Sequence, residues 1–340
     1  MKKLISLFSI FILLLLLGCS SKSEKVHLFI YNMNDPYIAA LGNEIMRVGS
    51  QYFPMEIHDA FNSQVIQNER IEEVMKTKPK LLIINPVDRL GAYPIIEKAK
   101  ELNIPLVFIN REPLAKDLNL YQHAYYVGAL AEQSGILQAE LVVELFGNQP
   151  MQLNSMDRNQ DNIIQMIIFK GEQGHQDAEL RSEYIIQELE NRGFTLEILT
   201  TEIANWNRDI AKNRAKLILP EYLPSVEVIV SNNDAMAIGV IEAMIELGIF
   251  IDHDDDGIID HDTDTWIPVI GIDGIFEATQ WMRSGHLYAT VLNDAINQAY
   301  ATVALIRHIL QGIPLIELEI SLTNQRYVWV DYKKYTLLED

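Results

Sequence analysis

The chain has 340 residues, with 47 Asp or Glu against 27 Lys or Arg and a formal net charge of −20. This excess of negative charge repels nucleic acid and anionic membrane surfaces, so we exclude nucleic acid as a partner. The length exceeds what one hydrophobic core usually serves and therefore predicts two lobes.

The amino-terminal residues predict a lipoprotein signal peptide over 1–18. Lys2 and Lys3 precede an uncharged apolar run over 4–17, which suits a secretory signal and is short for a membrane span. Residues 16–19 read Leu-Leu-Gly-Cys, the pattern of a bacterial lipobox with cleavage before the cysteine. The alternative is an uncleaved membrane anchor with an incidental cysteine.

Cys19 is the only cysteine, so it cannot form an intrachain disulfide. A thioether-linked lipid on its sulfur would account for one such residue in a secreted protein. We therefore expect Cys19 to carry a lipid that anchors the protein to the membrane, and 19–25 to form a tether. The predicted location is the periplasm or cell envelope, as a lipoprotein.

From residue 26 onward, short apolar runs alternate with amphipathic stretches. The runs predict strands over 26–31, 56–61, 81–85, 106–110, 163–169, 196–200, 226–231, 269–272 and 289–292. Most are rich in Val, Ile and Leu without strict alternation, which is typical of parallel strands buried on both faces. The helices are predicted over 38–50, 70–78, 93–102, 133–146, 179–192, 209–219, 235–247 and 295–311. This alternation predicts a doubly wound α/β architecture.

Polar side chains follow six of the predicted strands, where ligands bind in doubly wound sheets. They are Asn32, Asp35, Asn110, His175, Asp177, Asn232, Asn233, Asp234, Asp273 and Asn293. Each alone could be a turn or N-cap residue. Together they offer the mixed donors and acceptors that the hydroxyls of a neutral hexose require. Phosphate would instead need a glycine-rich loop or clustered basic residues, and the sequence has neither.

From about Val26 to its end, the chain resembles the periplasmic glucose/galactose-binding proteins. The resemblance rests on 124–128 (Ala-Tyr-Tyr-Val-Gly), 170–175, 177–181, 232–237 and 290–295. It implies the periplasmic-binding-protein type 1 fold, in which two doubly wound, Rossmann-like lobes are joined by a three-segment hinge. The expected lobes are 26–128 plus 294–323 and 129–293 plus 324–340, with crossings near Gly128, Asn293 and Asn324.

The resemblance also implies a sugar-binding set drawn from both lobes. Its members are Asp35, Tyr37, Asn110, His175, Asp177, Arg181, Trp206, Asn233, Asp273 and Asn293. Tyr37 and Trp206 would stack on the sugar. The family usually has Phe where this chain has Tyr37, and a tyrosine hydroxyl needs a partner or solvent. This difference bears on fine selectivity.

Residues 157–165 have the ligand spacing of a calcium loop. Asp157, Asn159, Asp161 and Gln165 stand at positions 1, 3, 5 and 9, and Ile163 at position 7 would offer its carbonyl. The bidentate glutamate that usually stands at position 12 of such a loop is absent from this run. The resemblance implies that Glu227, which is distant in sequence, supplies this ligand. We expect a structural Ca²⁺ in the second lobe and no catalytic cofactor.

A second acidic run over 252–264 begins with Asp252, Asp254, Asp256 and Gly257. It has two interpretations, the start of another calcium loop or a solvated acidic insertion. Thr263, at position 12, would be a poor closing ligand.

The resemblance implies a monomeric binding protein that captures D-glucose, D-galactose or both between its lobes. It would deliver the sugar to the permease subunits of an ABC transporter, and a chemoreceptor is left open as a further partner. The alternative ligand is another monosaccharide, such as a pentose.

Two other functions are alternatives. A glycosidase would need two carboxyl groups flanking a glycosidic bond, for example Asp35 or Asp177 with Asp273. Because the family gives each of these carboxylates a binding role, we do not expect an enzyme. A repressor of the related fold would carry a DNA-binding domain where this chain has its signal-peptide pattern.

Overall fold

The computed structural model describes residues 24–337. The predicted signal peptide, the predicted lipidation site Cys19 and residues 19–23 of the predicted tether lie outside the described residues. Within this part of the chain, no helix combines the length and apolar character needed to span a membrane. The described residues form two α/β lobes, each built on its own six-stranded sheet.

The first lobe contains a parallel sheet in the order β11-β5-β4-β3-β1-β2. Its strands are β1 (Val26–Ile30), β2 (Met55–Asp59), β3 (Leu81–Ile84), β4 (Leu106–Ile109), β5 (Ala124–Gly128) and β11 (Tyr327–Trp329). Its helices are α1 (Pro36–Gly49), α2 (Gln64–Lys76), α3 (Ala92–Leu102), α4 (Ala115–Leu118) and α10 (Ala295–Gln311), with 3₁₀ turns at Arg89–Gly91 and Leu315–Leu318.

The second lobe repeats this design in the order β12-β10-β9-β8-β6-β7. Its strands are β6 (Ile164–Lys170), β7 (Leu196–Ile203), β8 (Val228–Ser231), β9 (Val269–Asp273), β10 (Ala289–Leu292) and β12 (Lys333–Tyr335). Only β12, among the described strands, pairs antiparallel. The helices are α5 (Ala131–Leu145), α6 (Gln176–Asn191), α7 (Arg208–Tyr222), α8 (Asp234–Glu246) and α9 (Phe276–Arg283).

Both faces of each sheet are covered, which explains the near-continuous apolar strands. On β1, Leu28 and Ile30 pack with residues of α1 and α10, whereas Phe29 packs with residues of α2 and α3. Such burial requires Val, Ile and Leu on both faces of a parallel sheet. The prediction of a doubly wound α/β fold is confirmed.

Three connections join the lobes, at 128–131, 292–295 and 329–333. The third lies beyond the crossing predicted near Asn324. The strand β11 lies in the segment assigned from sequence to the second lobe, yet it pairs with β5 of the first sheet. Tyr327 and Val328 are buried in the first lobe's core, and this burial carries the chain past Asn324 before it crosses.

Candidate functional site

A small cavity lies between the lobes, beyond the carboxyl ends of the strands. All ten residues of the predicted sugar-binding set line it. Asp35, Tyr37 and Asn110 follow strands of the first sheet, Asp273 ends a strand of the second, and the other six residues follow strands of the second. Tyr31, Ile38 and Arg111 also line the cavity and were not predicted.

Three residues of the cavity are also N-caps of helices. Asp35 Oδ1 accepts from the Ile38 N–H at 3.1 Å, and Asn233 Oδ1 accepts from the Met236 N–H at 3.0 Å. His175 Nδ1 accepts from the Asp177 N–H at 3.2 Å. The cap uses one polar atom of His175 and of Asn233 and leaves the other available to the cavity, whereas Asp35 Oδ2 also accepts from the Tyr31 hydroxyl.

His175 is held as a neutral imidazole in one tautomer. Because Nδ1 accepts a hydrogen bond, the ring proton lies on Nε2, which makes Nε2 a donor. Burial, together with the positive charges of Arg111 and Arg181, lowers the pKa of His175 to about 2. The ring therefore stays uncharged at any physiological pH.

Arg181 is the central cation of the cavity and is only 3% exposed. Its guanidinium donates to the Asn232 carbonyl at 2.5 Å and to the Tyr332 hydroxyl at 3.0 Å. Its nitrogens lie 3.7 Å from Asp177 Oδ2 and 3.8 Å from Asp273 Oδ1. These distances exceed hydrogen-bond length, so both carboxylates keep lone pairs for a ligand.

The carboxylates of the cavity are nearly balanced by its cations. Burial raises the pKa of Asp273 well above its usual range, although Arg181 opposes this shift. Burial likewise raises the pKa of Asp177 against the effect of Arg181. With Asp35, there are three carboxyl groups facing two guanidinium groups, those of Arg111 and Arg181. This balance suits an uncharged ligand better than an anion or a cation.

Four buried polar atoms in the cavity have no hydrogen-bond partner. They are Tyr37 Oη, His175 Nε2, Arg181 Nε and Trp206 Nε1, out of eleven such side-chain atoms among the described residues. Each unsatisfied group costs about 1–3 kcal/mol. A ligand that offers oxygen atoms to these four groups would recover part of that cost.

Trp206 occupies a position that requires a glycine beside it. A Cβ on Gly171 would lie 2.3 Å from the Trp206 ring, so any larger residue would displace the indole. The backbone of Trp206 has φ of 62°, a left-handed conformation that is uncommon for a bulky residue. Its ring meets the edge of His175 with centroids 5.2 Å apart. Trp206 and Tyr37 belong to different lobes and line the same cavity.

Asp273 also has a strained backbone, with φ of 127°. Such conformations cost about 1–3 kcal/mol and concentrate at ligand sites. The residue ends β9, and its carbonyl accepts from the Asn293 N–H at 3.1 Å. The strain is consistent with a carboxylate held for a function rather than for the fold alone.

Tyr31 and Arg111 form a support for Asp35 that sequence reasoning missed. The Tyr31 hydroxyl donates to Asp35 Oδ2 at 2.5 Å. The Arg111 guanidinium lies 3.9 Å from the centroid of the Tyr31 ring. The sequence offered one clue to both residues, which is their position at strand ends. Arg111 directly follows Asn110, and Tyr31 ends the first predicted strand.

A second constellation forms around the loop over 157–165. Asp157 is buried, and its two oxygens accept from the backbone N–H groups of Asp161 and Asn162 at 3.2 and 2.9 Å. Asn159 Oδ1 accepts from the Asp161 N–H at 2.9 Å, and the Ile163 N–H donates to Asp161 Oδ1 at 2.8 Å. The backbone N–H groups of the loop therefore point towards oxygen atoms of its own side chains.

Glu227 reaches this loop from the start of β8. Its Oε1 accepts from the Arg158 N–H at 2.6 Å, and its Oε2 accepts from the Gln165 N–H at 3.4 Å. Gln165 is 2% exposed, and its Oε1 has no partner among the described residues. Burial raises the pKa of Glu227. The structure therefore places Glu227 against the loop and leaves one buried oxygen, Gln165 Oε1, unsatisfied.

The acidic run over 252–264 forms an exposed loop. Carboxylate oxygens of Asp252, Asp254 and Asp256 lie within 4.8 Å of one another. The Gly257 N–H donates to Asp252 Oδ2 at 2.8 Å. Exposed acidic groups often cluster without an ion, so both interpretations of this loop stay open.

Comparison with known proteins identifies the family. The model of the periplasmic binding protein domain matches residues 26–314. The chain belongs to the periplasmic binding protein family. Its members are solute-binding proteins of transporters, so the chain is not an enzyme.

Individual relatives agree with this assignment. The D-galactose/methyl-galactoside binding periplasmic protein MglB of Haemophilus influenzae is 35% identical over 303 residues, covering 87% of this periplasmic binding protein and 86% of that one. A xylitol-binding protein of Mycolicibacterium smegmatis is 24% identical, with coverages of 87% and 74%. The crystal structure of an ABC transporter solute binding protein from Bacillus halodurans with bound myo-inositol aligns with TM-score 0.73 and 24% identity, covering 94% of this chain and 96% of that one.

Proposed function

We propose that this periplasmic binding protein captures D-glucose or D-galactose in the interlobe cavity and delivers it to an ABC sugar permease. The observation that carries the proposal is one nearly charge-balanced cavity in which the buried donors His175 Nε2 and Arg181 Nε lack partners. A neutral hexose supplies hydroxyl oxygens to such groups without adding charge. The MglB protein of Haemophilus influenzae, named for D-galactose and methyl-galactoside, supports the choice of hexose.

Each group of the cavity has a role in this proposal. The carboxylates of Asp35, Asp177 and Asp273 accept from sugar hydroxyls, and the Nε2–H of His175 donates to one. Hydrogen bonds to charged groups are the stronger ones. Tyr37 and Trp206 pack against the C–H faces of the ring. Arg181 donates through Nε, the guanidinium nitrogen without a partner.

A contact between the two lobes supports capture by closure. Gln176 Nε2, on α6 of the second lobe, donates to Glu112 Oε2, after β4 of the first, at 3.2 Å. Two lobes joined by three short connections can open and close as a hinge. The closed arrangement would be the one that the permease recognises.

We also propose a structural Ca²⁺ in the loop over 157–165. Ca²⁺ takes six to eight oxygen ligands, and Asp157, Asn159, Asp161, Gln165 and Glu227 offer side-chain oxygens. The Ile163 carbonyl would add a backbone oxygen. Support comes from Gln165 Oε1, a buried oxygen that meets no donor among the described residues.

The remaining proposals concern location and partners. Residues 16–19 form a lipobox pattern, which supports a lipid on Cys19 and a membrane-anchored receptor in the cell envelope. Docking on a chemoreceptor is a further proposal, and a pentose is the alternative ligand.

The test is calorimetric titration of the full chain in detergent with D-glucose, D-galactose, D-ribose and D-xylose. We expect one-to-one binding of a hexose, lost in Trp206→Ala and kept in Trp281→Ala, a tryptophan of α9 outside the cavity. Binding of only a pentose would select the alternative ligand. No heat with any of these sugars, from a folded protein, would refute the sugar proposal.

A further inference from the structure

Two histidines and a glutamate meet at the edge of the first sheet, away from the interlobe cavity. His27 lies on β1, and Glu56 and His58 lie on the edge strand β2. In the parallel register, His27 is opposite Glu56 and Phe29 is opposite His58. Because alternate residues of a strand share a face, all three polar side chains project from the same face of the sheet.

One nitrogen or oxygen atom of each residue lies close to those of the other two. His27 Nδ1 is 3.0 Å from His58 Nε2, and His58 Nε2 is 3.9 Å from Glu56 Oε1. All three atoms lie within 4.8 Å of one another. Two imidazole nitrogens and a carboxylate oxygen form a ligand set for Zn²⁺, and sites with three protein ligands leave one position for water. We propose that His27, Glu56 and His58 bind a divalent transition-metal ion.

The surroundings hold these side chains in place. The Phe29 ring stacks on His58 with centroids 4.6 Å apart and an interplanar angle of 15°. Lys25 Nζ donates to Glu56 Oε2 at 2.8 Å, so Oε1 is the glutamate oxygen nearer to His58. Contacts of this kind orient metal ligands and raise affinity.

The ring of His27 has one nitrogen directed to this cluster. Its Nε2 is buried and has no hydrogen-bond partner among the described residues. Nδ1 is therefore the nitrogen that meets polar groups. His27 is only 5% exposed, whereas the side chains of His58 and Glu56 are 16% and 43% exposed, which leaves a path for an ion from solvent.

A simple hydrogen bond between the histidines is the competing explanation. Such a bond joins β1 to β2 without an ion and needs only the two imidazoles. The metal site additionally requires Glu56, and it prefers Zn²⁺, Cu²⁺ or Ni²⁺ over Ca²⁺, because imidazole suits transition metals and Ca²⁺ prefers oxygen ligands. The ion would tie the edge strand β2 to its neighbour β1 in the first lobe.

The experiment is calorimetric titration of the full chain in detergent with Zn²⁺, in excess Ca²⁺ to occupy oxygen-rich sites. We expect one tight equivalent, and a loss of at least about tenfold in affinity in both Glu56→Gln and His58→Gln. His123→Asn removes an exposed histidine of the same lobe and should bind as the wild type does. Visible absorption of the Co²⁺-loaded protein reports four-coordinate ligation.

Glu56 is partly exposed, so Glu56→Gln tests the site without placing the fold at risk. Circular dichroism and the sugar titration show that each variant is folded. Wild-type affinity in both variants, or no Zn²⁺ binding by the wild type, would overturn the proposal. Weakened binding in His58→Gln but not in Glu56→Gln would also overturn it, since it would leave two histidines without the third ligand.

Discussion

Asp35, His175 and Asn233 show how one residue both begins a helix and lines a cavity. From sequence, an N-cap and a ligand-binding residue are competing explanations for a polar residue after a strand. The structure makes them compatible, since the cap leaves a second polar atom on His175 and Asn233, and an Asp35 oxygen that accepts from Tyr31 still has a lone pair. A strand end in a doubly wound sheet needs a cap for the next helix, and the ligand site lies at the same edge.

His175 predicts how stability depends on pH. Its pKa is lowered to about 2 in the folded chain, whereas an unfolded chain has the ordinary value of about 6.5. Between these values the unfolded state binds more protons, so stability is lost as the pH falls below about 6.5. Between about pH 7 and pH 5, this group should remove about 2 kcal/mol of unfolding free energy.

The variant that checks this is His175→Asn, which keeps a capping oxygen and removes the titrating group. In urea unfolding without sugar, it should lose about 2 kcal/mol less than the wild type over the same pH interval. His123→Asn, an exposed histidine, should behave as the wild type does. Equal pH dependence in His175→Asn and the wild type would contradict a neutral, buried His175.

The Tyr37 hydroxyl predicts opposite effects on stability and binding. Its oxygen is buried without a partner, so Tyr37→Phe should raise the melting temperature of the sugar-free protein. If the hydroxyl contacts the ligand, the variant should bind hexose about fivefold more weakly, since one hydrogen bond contributes about 1 kcal/mol. Thermal unfolding and calorimetry measure the two effects.

Tyr121 offers the matched control, because its hydroxyl is also buried without a partner but lies outside the cavity. Tyr121→Phe should raise the melting temperature and leave the sugar affinity unchanged. Unchanged affinity in Tyr37→Phe would show that the tyrosine adds nothing beyond the phenylalanine usual in the resembled family.

The residues of the cavity were predictable where they follow a strand or belong to a family pattern. The role of Tyr31 was not predictable, because this residue belongs to a predicted strand and the sheet decides which way its side chain points. In the structure its hydroxyl donates to Asp35. Arg111 was not predictable either, because its stacking on Tyr31 joins two segments that are distant in sequence. Contacts of this kind come from tertiary structure, which local patterns do not report.

At the scale of elements, most strands and helices were predicted, and the missed ones are β5, β11, β12, α4 and α9. β5 (Ala124–Gly128) was noted as a family motif and not as a strand. The strands β11 and β12 have three residues each and exist because they pair with β5 and β10. Such strands depend on neighbours rather than on intrinsic preference.

Helix α2 begins six residues before its predicted start at residue 70. Ser63 is its N-cap, and Ser63 Oγ accepts from the Ile66 N–H at 3.4 Å. The first turns of this helix are mostly polar, so they do not show the apolar periodicity on which the predicted start was based. A capping signal was present in the sequence and would have placed the start correctly.

The loop over 157–165 predicts a response to chelation. If this loop holds the proposed Ca²⁺, removing the ion should lower the melting temperature, because Asp157, Asp161 and Glu227 would then repel one another in a partly buried site. Glu227→Gln should weaken or abolish this sensitivity to chelator. Differential scanning calorimetry with and without EGTA measures it.

The exposed acidic loop provides the control for this prediction. Asp252→Asn changes the run over 252–264 and should leave the chelator effect intact. Loss of the effect in Asp252→Asn, and its persistence in Glu227→Gln, would place the ion in the acidic loop instead.

At the scale of the whole molecule, the bond between Gln176 and Glu112 predicts that closure contributes to affinity. Gln176→Ala removes one hydrogen bond between the lobes and should weaken hexose binding about fivefold. Gln187→Ala is the control, since Gln187 lies on the same helix and donates to Glu183 within the second lobe. Calorimetry gives the affinities, and small-angle scattering gives the change in radius on adding sugar.

Equal affinities for the two variants and the wild type would show that this bond does not favour the closed form. A larger sugar-free radius in Gln176→Ala, with the same radius after sugar is added, is the expected pattern. This pattern would mean that closure depends on the ligand as well as on the Gln176–Glu112 hydrogen bond.

The order of the chain has a consequence for its synthesis. The first lobe takes its helix α10 and its strand β11 from residues 295–329, after the whole second lobe except β12. A ribosome must therefore translate through residue 329 before the first sheet can close, and through β12 before the second sheet is complete. Neither lobe is finished early, so a nascent chain stays without a complete core until its last strands are made.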